Sequence, residues 1–172
     1  MAQISRWLYL PNAGTDPKRR GLAHNTKNYI SPEEYNMPYE DFYLRASDNI
    51  KIHAWFVKQS AQKLSNAPTV VFFHGNAGNI GYRLPLIKTL FDQLGANILA
   101  VQYRGYGNSE GTPSEAGLTR DAQAALDWLA TRADIDGNKI FLYGQSLGGG
   151  VSIKTAHANQ DKVCEVCECV CV

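Results

Sequence analysis

Between residues 39 and 57 the chain alternates, YEDFYLRA and IKIHAWFV placing apolar and polar side chains on opposite faces around SDN. This pattern predicts a β-hairpin that turns at Asp48-Asn49. After a short linker, 58–67, alternation gives way to continuous apolar runs: PTVVFFH, bounded by Pro68 and Gly75, then ANILAVQY and KIFLY. Runs of this kind suit strands buried on both faces of a parallel sheet. Two stretches between them have a 3.6-residue spacing, Leu86, Ile87, Leu90, Phe91 and Leu94, then Leu118, Ala122, Ala125, Leu126 and Leu129, which predicts amphipathic helices. Thr112-Pro113-Ser114-Glu115 precedes the second and predicts a helix start with Thr112 as cap, Pro113 in the first helical position and Glu115 closing a capping box. Strands are expected near 39–46, 50–57, 69–74, 97–103 and 139–144. The last three are expected to be parallel, so the fold class is α/β, an N-terminal antiparallel hairpin leading into a parallel sheet flanked by helices. Residues 1–37 carry scattered Pro and Gly with little periodicity and read as an irregular arm.

Composition narrows the function classes. A chain of 172 residues with 44% hydrophobic and 19% charged content fits one globular domain with a real core. A net charge of +1, with no basic block longer than Lys18-Arg19-Arg20, gives no field for a nucleic-acid partner. The apolar patch from Ile4 to Leu10 is broken by Arg6, falls short of the roughly 20 residues that span a bilayer, and lacks the form of a secretory signal. All four cysteines fall in the final CEVCECVCV.

The three strand–helix junctions carry the candidate chemistry, because sites in such sheets form beyond the carboxyl ends of the strands. At the third, Gly144-Gln145-Ser146-Leu147-Gly148 places a serine between glycines directly after an apolar run. Gly-x-Ser-x-Gly in that context is a nucleophile elbow, in which the serine occupies a strained turn at a helix N-terminus and the glycines remove Cβ atoms that would clash. Ser146 is the candidate nucleophile. The first junction, His74-Gly75-Asn76, stands where a second oxyanion donor belongs, which makes the backbone N–H groups of Asn76 and Leu147 the candidate pair. His74 reads as ordering its own loop rather than acting as a base. The second junction, Arg104 to Gly111, is not a dinucleotide fingerprint, since Glu110 stands where the third glycine belongs. It reads as a turn bordering the pocket, with Arg104 bonding a carboxylate. His74, Gly75, Gln145 and Tyr106 are the expected binding residues.

PYEDFYLRASDNIKIHAWFV, FFHGNAGNIGYRLP, VQYRGYGNSEGTPSEAGLTRDAQAALDWL and DGNKIFLYGQSLGGGVSIKTA together resemble the α/β-hydrolase superfamily, and within it the bud-emergence subgroup. The resemblance runs from about Pro38 to Lys162. It implies a serine hydrolase of ester, thioester or peptide bonds acting without a cofactor on a small-molecule, lipid or acyl-protein substrate. Members usually carry a membrane-spanning segment before the domain, of which this chain has at most the trailing edge in ISRWLYLP. The family's triad runs Ser, then Asp, then His, but the residues after Ser146 include only His157 and Asp161. His157 lies about 16 Å along a helix from the serine, too far to take its proton. The expected organisation is therefore an arm (1–37), the N-terminal part of a hydrolase domain (38–162) and a Cys-rich tail outside the family (163–172), as an alternative exon end, retained intron or frameshift would produce.

Three functions fit: a serine hydrolase lacking the later Asp and His and so weak or inactive by itself, a non-catalytic binding module or competitor of a full-length sibling, and a redox- or metal-responsive tail on an inert fold. The C-x-x-C spacing of Cys164 and Cys167 has no second knuckle, so no metal site is expected. The tail's alternating Val and Cys favour a strand, expected to lie beside KIFLY and cover its edge.

Overall fold

The computed structural model describes residues 9–11 and 20–169, with side chains through Cys164. The hairpin forms as β1 (Tyr39–Arg45) and β2 (Lys51–Val57), paired antiparallel. There follow a single helical turn α1 (Ala61–Leu64), β3 (Thr69–Phe73), α2 (Leu84–Leu94), β4 (Asn97–Val101), α3 (Glu115–Ala130), β5 (Ile140–Gln145), α4 (Leu147–Ala158) and β6 (Glu165–Cys169). The strands make one sheet in the order β1-β2-β4-β3-β5-β6. β3, β4 and β5 are mutually parallel, and β2 joins β4 antiparallel.

The apolar runs become strands because both of their faces are covered. Val71, Phe73, Leu99, Val101 and Leu142 point to a core closed by α3 and α4, while Val70, Phe72, Ile98 and Ala100 point to a second core closed by α2 and by Leu22 and Met37 of the arm. Right-handed crossovers explain the split. The chain steps one way across the sheet from β3 to β4 and the opposite way from β4 to β5, so the connecting helices land on opposite faces. The crevice between the carboxyl ends of β3 and β5 is then the topological switch point, where ligands bind in open α/β sheets.

The cap of α3 is Ser114, whose side chain accepts from Gly117 N, not Thr112, and Pro113 lies outside the helix. Pro113 is taken up instead by packing over Gly105, where an added Cβ would stand 2.5 Å from Pro113 Cδ. The tail strand forms as expected over Glu165–Cys169, parallel to β5 from Phe141 to Gln145. Cys171 and the segment from Ile4 to Leu8 lie outside the described residues.

Candidate active site

Gly144, Ser146 and Gly148 occupy the turn between β5 and α4, and the turn has one way to close. Ser146 has φ 53° and ψ −112°, a left-handed backbone that a non-glycine residue adopts at a cost of about 1–3 kcal/mol. A Cβ on Gly144 would stand 2.2 Å from Gly148 O, and one on Gly148 would stand 2.0 Å from Phe73 O. Both distances are impossible contacts with backbone, so the two flanking glycines are what let the turn press against β3. Gly150, three residues into the same glycine run, would meet nothing within 4 Å.

Ser146 is exposed at the mouth of the crevice, and its hydroxyl has no hydrogen-bond partner among the described residues. Leu147 opens α4, and N–H groups in the first turn of a helix have no intrahelical acceptor. The positive end of the helix dipole faces the same space.

The loop after β3 forms the opposite wall. His74 is fully buried, tilted against Tyr103 with ring centroids 4.3 Å apart and edge-on to Tyr106. Its Nδ1 lies 2.7 Å from Gly75 O, and Gln102 Nε2 lies 3.1 Å from its Nε2. Gln102 can only donate there, so the proton is on Nδ1 and both ring nitrogens are engaged. Burial pushes the His74 pKa down to about 3, the nearby charge of Arg83 adds to the effect, and the bond to Gly75 opposes it. The ring is a neutral strut for its own loop, as its place in the sequence predicts. Gly75 O also accepts from Ala77 N. The Asn76 side chain is held from two sides, Oδ1 accepting from Tyr106 Oη at 2.8 Å and from Leu10 N at 3.0 Å. Burial raises the Tyr106 hydroxyl above its usual pKa and keeps it a donor. Leu10 also bridges Ala77, so a piece of the arm lies along this loop.

Gln145 and Arg83 close the ring of side chains. Gln145 Oε1 lies 3.6 Å and Arg83 Nη2 3.7 Å from the position a Gly75 Cβ would take. Arg83 Nη2 donates to Ala77 O at 2.9 Å. The structure thus brings Gln145 against Gly75 and the Ser146 turn against the end of β3, with His74 and Tyr106 buried behind the loop that carries Asn76.

Arg83 and Gln102 escaped the sequence reading. Arg83 sits in an unremarkable IGYRLP stretch, and Gln102 looks like a strand residue although it fixes both His74 and Ile80 N. The only available signals were a lone arginine at a helix start and a lone polar residue ending an apolar run. Arg104 does bond carboxylates, both Asp48 and Asp121, and so belongs to the scaffold. His157 is exposed on the last turn of α4, and the ring of His53 bonds Asp41 on the hairpin. A cavity of about 570 Å³ between the hairpin and α3, lined by residues such as Arg45, Arg120 and Trp128, contains none of the junction residues.

Comparison with known proteins agrees with this architecture. A family model described as alpha/beta hydrolase fold matches residues 68–166. The alpha/beta hydrolase domain-containing protein WAV2 of Arabidopsis thaliana is 45% identical over 80% of this chain and 44% of its own length. Protein bem46 of Schizosaccharomyces pombe is 42% identical over 80% of this chain and 46% of its own length. The chain spans about half the length of the curated relatives it matches. Among solved structures, the Pyrococcus furiosus esterase Pf2001 superposes with a TM-score of 0.67 at 25% identity, over 79% of this chain and 50% of that one. With the fold, the switch-point crevice and these matches in agreement, the chain belongs to the alpha/beta hydrolase fold family.

Proposed function

We propose that this chain carries the nucleophile and oxyanion hole of a serine hydrolase acting on ester, thioester or peptide bonds, with Ser146 as nucleophile and the backbone N–H groups of Asn76 and Leu147 as oxyanion donors. The observation that carries this reading is the Ser146 backbone. A left-handed serine, wedged between two glycines that touch backbone and set at the head of a helix, is strained geometry whose one evident product is an exposed hydroxyl. The esterase activity named for the Pyrococcus furiosus protein is consistent with this choice of bond.

The reaction also needs a base, since a serine hydroxyl is a weak nucleophile until its proton is removed. Among the described residues none bonds the Ser146 hydroxyl, and the ring nitrogens of the nearest candidate, His74, are both engaged. Lacking a base costs about 10⁴ to 10⁶ in turnover, more than a well-formed oxyanion hole restores. The chain alone is therefore a site with weak hydrolysis, and that deficit favours a second reading, a binding module of a hydrolase fold. The isolated chain should label with a fluorophosphonate slowly or not at all, and Ser146→Ala should change its ester hydrolysis little. Appending the C-terminal half of a relative after Lys162 should raise labelling strongly, with the gain abolished by Ser146→Ala. Gain that survives Ser146→Ala would remove Ser146 from the mechanism, and fast Ser146-dependent labelling of the unextended chain would place a base within it.

A further inference from the structure

Four arginines among the described residues lie at least partly within the fold. Two are neutralised by carboxylates, and a third, Arg20, gives both of its terminal nitrogens to the carbonyls of Gly105 and Ser109. Arg104 faces Asp48 and Asp121, and Arg132 faces Glu40 and Asp134. Arg83 has no carboxylate within ion-pair distance among the described residues. Its Nη2 donates to Ala77 O, and its Nε is shut away from solvent without an acceptor. Nη1 makes no hydrogen bond among the described residues and is the donor left for an incoming group. Burial lowers the Arg83 pKa from its usual value, yet a guanidinium stays charged throughout the working range. A half-buried, uncompensated cation costs stability, and of the partly buried arginines this is the one with a terminal nitrogen facing neither a carboxylate nor a carbonyl.

Its position is as telling as its charge. The guanidinium rests against Gly75 on one side and bonds Ala77 on the other, so it brackets Asn76. Across Gly75 stands Gln145 Oε1, a buried acceptor that also lacks a partner. The crevice therefore offers an unmet cationic donor, Arg83 Nη1, within one residue of the proposed oxyanion hole. A ligand carrying a carboxylate would complete it.

We propose that Arg83 is the anion-recognising group of this crevice, selecting acyl compounds that carry a carboxylate a few bonds from the carbonyl presented to Ser146. The proposal rests on the reading of Ser146 as nucleophile for its catalytic meaning, but its binding content stands apart from hydrolysis.

The test is equilibrium binding by titration calorimetry of the full chain to two non-reactive anilides of similar size, N-phenylsuccinamate and its neutral counterpart butyranilide. Both carry the same anilide group, so their difference isolates the carboxylate. The anionic anilide should bind about tenfold or more tightly, as charge-assisted hydrogen bonds to a guanidinium do. Arg83→Gln should bring the two within about twofold, and Arg83→Lys, which keeps the charge but loses the fork, should fall between. Ser146→Ala should keep the preference, so failure of the nucleophile shows as absent Ser146-dependent labelling with the preference intact. Equal affinities in the unmutated chain, no binding of either anilide at millimolar concentration, or a preference that survives Arg83→Gln would each overturn the proposal. If Arg83→Gln does not fold, the unmutated comparison and Arg83→Lys still decide.

Discussion

The turn after β4 and the turn after β5 both end parallel strands, are both rich in glycine and lie on either side of β3, yet they are held by different forces. After β4, Arg104 is clamped by Asp121 from α3 and by Asp48 from the hairpin turn, so charge ties three elements to one strand end. Gly105, Gly107 and Gly111 take the left-handed conformations that turn needs. After β5 no ion pair is present among the described residues. Close steric approach of Gly144 and Gly148 to backbone does the holding, and the left-handed position is given to a serine. A turn whose unusual backbone falls to glycines and whose charges are paired is a scaffold. One that places a polar, exposed, non-glycine residue in the strained position presents that residue.

The contrast can be broken most severely on the charged side. Asp121 is fully buried and receives both the Arg104 backbone N–H and its Nε, each at 2.9 Å. Burial pushes the Asp121 pKa up against the pull of Arg104, so this ion pair exists only because the cation is present. Asp121→Ala should leave Arg104 half-neutralised in the interior and cost about 3–5 kcal/mol in urea unfolding. On the steric side, Gly148→Ala should cost about 3 kcal/mol, because the new methyl falls on Phe73 O. Gly150→Ala in the same run, with open space around it, should instead stabilise by about 0.5–1 kcal/mol. Equal effects at the two glycines would mean that the turn does not press on β3.

The neutral His74 strut beneath the crevice predicts a pH dependence. An unfolded chain takes up a proton on this histidine below about pH 6.5, whereas the folded chain refuses it until about pH 3. The unfolded state thus binds more protons between those values, and stability must fall as pH falls through that window, by up to about 1.4 kcal/mol per unit. His53, lowered by burial against its bond to Asp41, acts in the same direction. Thermal unfolding midpoints between pH 7 and 4 should show this slope, and His74→Asn should flatten it. A small expected effect sharpens the comparison most. Ser146→Gly should raise stability by about 1 kcal/mol, since glycine accepts φ 53° without strain, while removing any labelling at this position. A loss of stability would mean that the serine is not strained.

The strands, helices α2 and α3 and the glycine-flanked turn at Ser146 were legible in the sequence because each is set by local periodicity or by glycines within a few residues of one another. YEDFYLRA could only alternate, VVFF and ILAV had to be buried on both faces, and Gly144 and Gly148 bracket Ser146 within five positions. Thr112 and Ser114 are both able caps, and the choice between them was made by Pro113 packing on Gly105, a tertiary contact across the turn after β4. The sequence by itself therefore determined the α/β layering, the serine at a strand end and the loop opposite it. Only the tertiary structure decided that Gln102 locks the His74 tautomer, that Tyr106 and Leu10 hold Asn76, and that Arg83 comes to Gly75 with no carboxylate near it. Those facts depend on where a charge or a polar atom finds, or fails to find, its partner. Most such partners come from segments tens of residues away, and even the Arg83 contact with Gly75, eight residues apart, depends on how the loop after β3 folds, which no local pattern of hydrophobic and polar positions encodes.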